Sequence, residues 1–202
     1  LTIKSSNSKI LDSKLFKEGD ISIQSPSAAA IVDCLDANVG DVILDVCAAP
    51  GTKTLQLANL VGPEGCVYAS DISPNRIAAG KKDTKRHRKK NIDWSLKDAS
   101  KDSYNIADKI LIDAPCTGTG VIGRKPDIRW RRKENDIKKF SDIQLSIINN
   151  CSKYLKKGGV LVYATCSMEP EENLKVIEQF LNLNSDFVID KIPNGIPEHW
   201  IK

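Results

Sequence analysis

The stretch VILDVCAAPGTKT, residues 42–54, joins a short apolar run to a helical pattern through a series of small residues. Residues 42–46 have the length and apolar character of a buried strand, and residues 52–61 have the spacing of a helix. The small residues from Cys47 to Gly51 would let the backbone approach a ligand closely. The amides at the start of the helix could then face a carboxylate. The alternative is a tight strand–helix turn that binds nothing.

This unit begins an alternation of strands and helices. Strands are predicted at residues 42–46, 66–69, 92–96, 109–112 and 160–164, with a sixth beginning at 187–189. Helices are predicted at residues 27–36, 52–61, 74–89, 134–155 and 170–183, and the glycines at 158–159 are expected to end the longest. Strands separated by helices pair in parallel. We therefore expect a doubly wound α/β domain over 25–202 with a mostly parallel sheet, after a lead-in or flap at 1–24.

Composition limits the possible classes of protein. The chain has 202 residues, a net charge of +4 and 41% hydrophobic residues, which suits one globular domain. No apolar run approaches the ~20 residues of a membrane span, and the first nine residues lack an apolar signal core. None of the six cysteines forms a C-x-x-C pair and there are two histidines, so no metal site is expected. Free thiols indicate a cytoplasmic location.

Positive charge is concentrated in two clusters. Residues 81–90 (KKDTKRHRKK) hold seven Lys and Arg, and residues 124–133 (RKPDIRWRRK) hold six around Trp130. Two such clusters in one small domain, one with an aromatic residue inside it, favour a polyanionic partner. Solvated surfaces without a partner are the alternative.

Two carboxylates follow predicted strands. Asp71 ends the second strand about 20 residues after the small-residue turn, where a carboxylate can accept both ribose hydroxyls of a nucleoside. Asp98 follows the third strand and could accept from an adenine amino group. A helix cap for Asp71 and an ordinary loop residue for Asp98 are the alternatives.

Two cysteines follow the last two strands. Cys116 stands in DAPC after the fourth strand and Cys166 in TCS after the fifth, so both should lie at the same edge of the sheet. A thiolate there is a candidate nucleophile, although either cysteine could also be a buried structural thiol. The literal G-x-G-x-x-G at 118–123 follows the fourth strand instead of the first, and no amphipathic helix opens at its end. We reject it as a dinucleotide fingerprint.

Taken in order, the motifs DVCAAPGTKT, DIS, KDAS, DAPCTGTGVIGRKPDIRW and YATCSMEPEEN resemble those of RNA 5-methylcytosine methyltransferases of the NOL1/NOP2/Sun family. The stretch VIGRKPDIRW most resembles the RsmB (Fmu/Sun) type, which methylates small-subunit ribosomal RNA. The resemblance covers residues 18–173. It implies a Rossmann-like fold that binds S-adenosylmethionine, with residues 25–202 as the catalytic domain.

The resemblance also implies roles for individual residues. Those around S-adenosylmethionine would be Cys47, Ala48, Ala49, Pro50, Gly51, Thr52, Lys53, Asp71, Arg76, Asp98 and Asp113. Asp71 would bind the ribose with help from Arg76, Asp98 would lie by the adenine, and Asp113 would lie between cofactor and target base. Cys166 would attack carbon 6 of cytosine, which makes carbon 5 nucleophilic toward the sulfonium methyl, and Cys116 would help to release the product.

Other functions remain open on the sequence. A tRNA methyltransferase would use the same chemistry. A DNA cytosine-5 methyltransferase would instead attack with the Pro-Cys cysteine, Cys116. A non-catalytic module that binds RNA and cofactor is a third possibility.

Two departures from the family pattern stand out. Thr52 replaces the second glycine of the common P-G-G-K, which should reduce backbone freedom in the loop. RsmB-type proteins usually carry an N-terminal RNA-binding domain and a closing strand after the last helix, and we expect both to be missing from this chain.

Overall fold

A computed structural model describes residues 8–191 of the chain. Within this range the sheet consists of β1 (Val42–Val46), β2 (Cys66–Asp71), β3 (Ile92–Leu96), β4 (Ala107–Asp113) and β5 (Leu155–Ala164). All neighbouring strands pair in parallel, in the order β3-β2-β1-β4-β5. The predicted doubly wound architecture is confirmed.

Helices cover both faces of the sheet. They are α1 (Ser8–Leu11), α2 (Lys14–Lys17), α3 (Pro26–Asp33), α4 (Thr52–Leu60), α5 (Pro74–Arg86), α6 (Ile128–Arg131), α7 (Glu134–Cys151) and α8 (Leu174–Leu183). Three 3₁₀ turns lie at Thr119–Val121, Ser152–Tyr154 and Pro170–Glu172. Among the described residues, no helix has the combination of length and apolar character that crossing a membrane requires.

The core lies on both sides of the central strands because their apolar residues point alternately to the two faces. Ile112 of β4 packs with Ile148 of α7 on one face. Its neighbour Leu111 packs with Leu57 of α4 on the other. Each fully buried side chain of this kind contributes roughly 1.5–3 kcal/mol.

The chain direction across the sheet reverses at β1. The chain passes outward from β1 to β2 and β3, and then crosses back to β4 and β5 on the other side. Such a reversal opens a crevice at the carboxyl ends of the two central strands. The loops after β1 and β4 therefore meet at this carboxyl edge, with those after β2 and β5 beside them.

Several predicted elements differ from the structure in their bounds, most of all near the end of the chain's longest helix. The helix predicted over 134–155 ends at Cys151, and the glycines expected to end it lie inside β5. Gly158 has a φ of +78°, and the register with β4 shifts at the same level. A β-bulge thus uses the glycine that resembled a helix terminator.

The last helix begins later than predicted, and the predicted start of a sixth strand is not formed. Residues 170–172 form a 3₁₀ turn, and α8 begins at Leu174. Phe187 packs edge-on against Phe180 of α8, with ring centroids 5.0 Å apart, and residues 187–189 form no strand. Packing against the helix replaces pairing with the sheet.

The described part of the lead-in is held against the end of α5. The Arg86 guanidinium lies 4.1 Å from the centroid of the Phe16 ring. It also donates to the backbone carbonyls of Phe16 and Ile21. Gly19 approaches the Arg86 carbonyl so closely that a Cβ at this position would overlap it. Arg86, a member of the basic cluster at 81–90, therefore has a structural role.

Candidate active site

Strand register brings the predicted site residues into one row along the carboxyl edge. Val46 pairs with Ser70 on one side and Ile112 on the other, so Cys47 lies level with Asp71 and Asp113. Asp113 in turn pairs with Ala164, two residues before Cys166. The ends of β1, β2 and β4 thus present Cys47, Asp71 and Asp113 at one level, and Cys166 follows two residues beyond it, after β5.

The loop after β1 depends on one glycine. Gly51 has a φ of +105°, and a Cβ there would lie 2.9 Å from the Trp94 indole. No other residue type suits both conditions. Thr52 is the first residue of α4 and does not have a positive φ. The expected loss of loop freedom from threonine is therefore wrong, because the position is helical.

Asp71 ties this loop to the end of β2. Its carboxylate accepts from the Ala49 amide at 3.2 Å and from the Ser73 amide at 2.9 Å, and pairs with Arg76 Nη1 at 3.2 Å. Arg76 also donates to the Ala49 carbonyl. Asp71 is 3% exposed, whereas the Arg76 side chain is 54% exposed. Movement of Arg76 would open one carboxylate oxygen to a ligand.

Asp45 was not predicted. It is 1% exposed within β1 and accepts a 2.6 Å hydrogen bond from the Thr54 hydroxyl. Its Oδ1 has no hydrogen-bond partner among the described residues. Burial raises the pKa of Asp45 to about 7. An acidic residue in an otherwise apolar strand was the signal that could have revealed it.

Asp98 lies beside two exposed apolar side chains. Its carboxylate accepts from the Ser100 amide and hydroxyl at 3.0 and 2.6 Å, and these bonds lower its pKa. Ile72 and Leu96 are exposed next to it, at the ends of β2 and β3. They form an apolar surface at the carboxyl edge that the sequence analysis did not identify.

Asp113 and Lys53 link the loop after β1 to the end of β4. Lys53 Nζ lies 2.7 Å from Asp113 Oδ2, and both side chains are partly exposed. The ion pair joins the start of α4 to the end of β4, the strand that leads to Cys116.

Cys116 and Cys166 are brought together, with their sulfur atoms 3.2 Å apart. The Cys166 amide also donates to Cys116 Sγ at 3.3 Å. A hydrogen bond from the Cys116 thiol lowers the pKa of Cys166 to about 7. The same bond, together with burial, raises the pKa of Cys116. The pair thus favours a single shared negative charge near neutral pH, with Cys166 as the more acidic of the two thiols.

A buried carboxylate fixes this arrangement. Glu172 is 0% exposed. It accepts from the Thr117 amide at 2.9 Å and from the Thr117 hydroxyl, beside Cys116. It accepts from the Ser167 hydroxyl at 2.5 Å, beside Cys166, and from Gln144 of α7 at 3.0 Å. Glu172 therefore joins the two cysteine loops. These contacts could not be predicted from local sequence patterns because they join residues up to 55 positions apart.

The two basic clusters lie at different places. Helix α5 starts at the carboxyl edge and runs to the amino end of β3, so residues 85–90 lie away from the cysteines. The cluster at 124–133 lies beside them, because Arg132 donates to the carbonyls of Cys116 and Thr117. The part of the chain that is described contains no group of three or more side chains suited to a metal ion.

The sheet order and loop geometry define the Rossmann-like fold of S-adenosylmethionine-dependent methyltransferases. Residues 32–198 match the family model for the 16S rRNA methyltransferase RsmB/F. The chain belongs to this family.

Named relatives and a solved structure agree with this assignment. The Yersinia enterocolitica ribosomal RNA small subunit methyltransferase B is 42% identical over 85% of this chain and 40% of the relative. The Cronobacter sakazakii protein of the same name is 39% identical over 87% of this chain and 41% of its own length. The structure of NSun6 from Pyrococcus horikoshii with SFG is 34% identical, with a TM-score of 0.79 over 90% of this chain and 46% of that one. The chain thus spans about two fifths of the curated relatives.

The shared charge of the cysteine pair predicts the reactivity of Cys166. Its alkylation by iodoacetamide should rise with pH around a midpoint near 7. In Cys116→Ala the donated hydrogen bond is gone, so the midpoint should move up toward the ordinary value of about 8.5. Mass spectrometry of the Cys166 peptide measures the rate at each pH. Cys34→Ala is the control and should leave the midpoint in place, and an unmoved midpoint in Cys116→Ala would contradict the assignment.

Glu172→Gln should destabilise the protein by at least ~2 kcal/mol, because several donors lose a charged acceptor in a buried position. Urea denaturation measures the loss. Glu171→Gln is the matched control, since the Glu171 side chain is 41% exposed and pairs with Lys175 at 2.6 Å. Exposed ion pairs of this kind contribute little to the stability of the folded protein. Equal effects of the two substitutions would rule out a special role for Glu172.

Proposed function

We propose that this chain transfers a methyl group from S-adenosylmethionine to carbon 5 of a cytosine in small-subunit ribosomal RNA. The observation that carries the proposal is the 3.2 Å contact between Cys116 and Cys166, beside the Asp113–Lys53 pair. Reduced thiols are required for this chemistry, which suits the cytoplasm.

The residues along the carboxyl edge fit the cofactor, which would supply an electrophilic methyl group. Gly51 leaves the backbone of the loop open to close approach. Asp71 would accept the ribose hydroxyls once Arg76 moves aside. Ile72 and Leu96 offer apolar contact for an adenine, and Asp98 would accept from its amino group. Cys47 to Lys53 would line the methionine portion.

The cysteine pair supplies the nucleophile and then the base. The Cys166 thiolate would add to carbon 6 of cytosine, and the electron pair of the 5,6 double bond would make carbon 5 nucleophilic. Asp113 could stabilise the charge that develops at ring nitrogen 3 by donating a proton to it, and the Lys53 ammonium, 2.7 Å away, could supply that proton to the carboxylate. After methyl transfer, removal of the proton from carbon 5 would restore the double bond and break the bond to sulfur.

The shared charge explains how Cys116 could take that proton. While Cys166 is a thiolate, its hydrogen bond holds Cys116 in the protonated form. Once Cys166 is bound to carbon 6 it is neutral, so the largest cause that raises the pKa of Cys116 is removed, although burial still raises it. Cys116 could then ionise and act as the general base.

The same charge distribution argues against the chemistry of DNA enzymes, in which Cys116 would attack. Its thiol is the one kept protonated, and Cys166 is the more exposed and more acidic of the two. A cytosine must leave its base stack to reach these sulfur atoms, which favours a loop or opened segment of RNA.

Asp71→Ala tests the cofactor site. Loss of charge-assisted hydrogen bonds worth roughly 1.5–3 kcal/mol each should weaken binding of S-adenosylmethionine at least tenfold. Isothermal titration calorimetry measures the affinity, with circular dichroism to verify that the variant folds. Asp93→Ala, on the exposed side of β3, is the control. A folded Asp71→Ala with parental affinity would remove Asp71 from the cofactor site.

Single substitutions of the cysteines test their roles in catalysis. Cys166→Ala lacks the attacking sulfur and should neither methylate RNA nor trap it. Cys116→Ala should still attack but release the product poorly, and so accumulate a protein–RNA adduct. Denaturing electrophoresis detects the adduct, with ribosomal RNA and a matching DNA as substrates.

The other outcomes separate the alternatives. An adduct in Cys166→Ala and none in Cys116→Ala would support the DNA-enzyme order. Methylation intact in both variants would rule out a cysteine nucleophile. A parental chain that binds RNA and cofactor without turnover would favour a non-catalytic module.

A further inference from the structure

Trp130 is a large aromatic side chain left in solvent. It is 89% exposed on the short helix α6. Tryptophan is highly buried on average, so an isolated exposed indole calls for an explanation. Arg129 and Arg131 on either side of it are exposed as well, within the basic cluster at 124–133.

The residues that flank Trp130 are held against the loop of Cys116. Ile128 lies close enough to Gly118 that a Cβ there would be 3.2 Å from Ile128 Cδ1. Arg132 donates to the Thr117 and Cys116 carbonyls at 3.1 and 3.4 Å, and its guanidinium lies 4.7 Å from the Phe140 ring centroid. Both anchors are two residues from Trp130. The backbone that carries Trp130 is therefore anchored beside the Cys116 loop, while the indole itself stays largely in solvent.

We propose that Trp130 is a stacking platform for an unpaired base next to the target cytosine, with Arg129 and Arg131 beside it for the phosphates. The proposal rests on the proposed function. When a cytosine leaves its stack, the neighbouring bases lose a stacking contact. An exposed indole face can replace that contact. Such stacking accepts any base, because each has an aromatic face.

The surrounding charges suit a nucleic-acid strand better than a protein surface. The cluster carries six Lys and Arg against one acidic residue, Asp127. Arg131 pairs with Asp127 at 3.1 Å, but both side chains are exposed, so this pair contributes little and can open. Lys125 is close enough to Cys166 to lower its pKa. The basic surface therefore extends to the nucleophile.

The test compares RNA binding by the parent chain, Trp130→Ala and Trp130→Phe. The probe is a fluorescein-labelled stem–loop RNA with one cytosine in its single-stranded loop. A set of versions carries an abasic site at each loop position beside that cytosine. Fluorescence anisotropy measures binding without requiring catalysis, so the result stands apart from whether the chain methylates. Val39→Ala is the control, since Val39 is 70% exposed and precedes β1 at the opposite edge.

Trp130→Ala should bind the intact stem–loop roughly tenfold more weakly, and Trp130→Phe should retain most of the affinity. At one flanking position the abasic site should lower the RNA affinity of the parent chain by a similar factor. The same abasic site should leave the affinity of Trp130→Ala unchanged, because the two changes remove the same contact. Where the parent also methylates the loop cytosine, KM should rise in Trp130→Ala and kcat should stay within about twofold. Unchanged affinity in Trp130→Ala, or additive losses at every abasic position, would overturn the proposal.

Discussion

The buried carboxylate of Glu172 is the constraint on which the arrangement of the two cysteines depends. Taking a carboxylate out of water costs several kcal/mol unless hydrogen bonds compensate it. Here the compensating donors come from Thr117 and Ser167, which are the neighbours of the two cysteines. The requirement to satisfy one buried charge thus brings two separate loops to one place. The 3.2 Å distance between the sulfur atoms follows from that requirement.

The parallel sheet supplies the other half of the geometry. Pairing in register places Asp71, Cys47 and Asp113 in one row, and the reversal of chain direction at β1 keeps the crevice open in front of it. Cofactor loop and cysteine pair are then neighbours, joined by the Lys53–Asp113 ion pair. The same ion pair connects the site that would hold the methyl donor with the site that would hold its acceptor.

Features that depend on local pattern could be predicted from the sequence. Short apolar runs marked all five strands, and the residues that follow them gave Asp71, Asp113 and both cysteines. Features that depend on distant contacts could not. Glu172 lies in the segment that was predicted as the start of the last helix, and its partners Thr117 and Gln144 are remote in the chain. Gly158 looked like a helix terminator because a glycine with positive φ serves a bulge equally well.

The hydrogen bonds of Glu172 also determine where the chain can tolerate changes in length. Thr117 lies four positions after the end of β4, and Glu172 lies eight positions after the end of β5. One inserted or deleted residue in either interval would shift a donor or the acceptor out of reach, so both intervals have a required length. The exposed segment at 123–127 has no such bond to a strand end. We therefore expect a one-residue insertion in that segment to disturb the two cysteine loops less than an insertion within either of them.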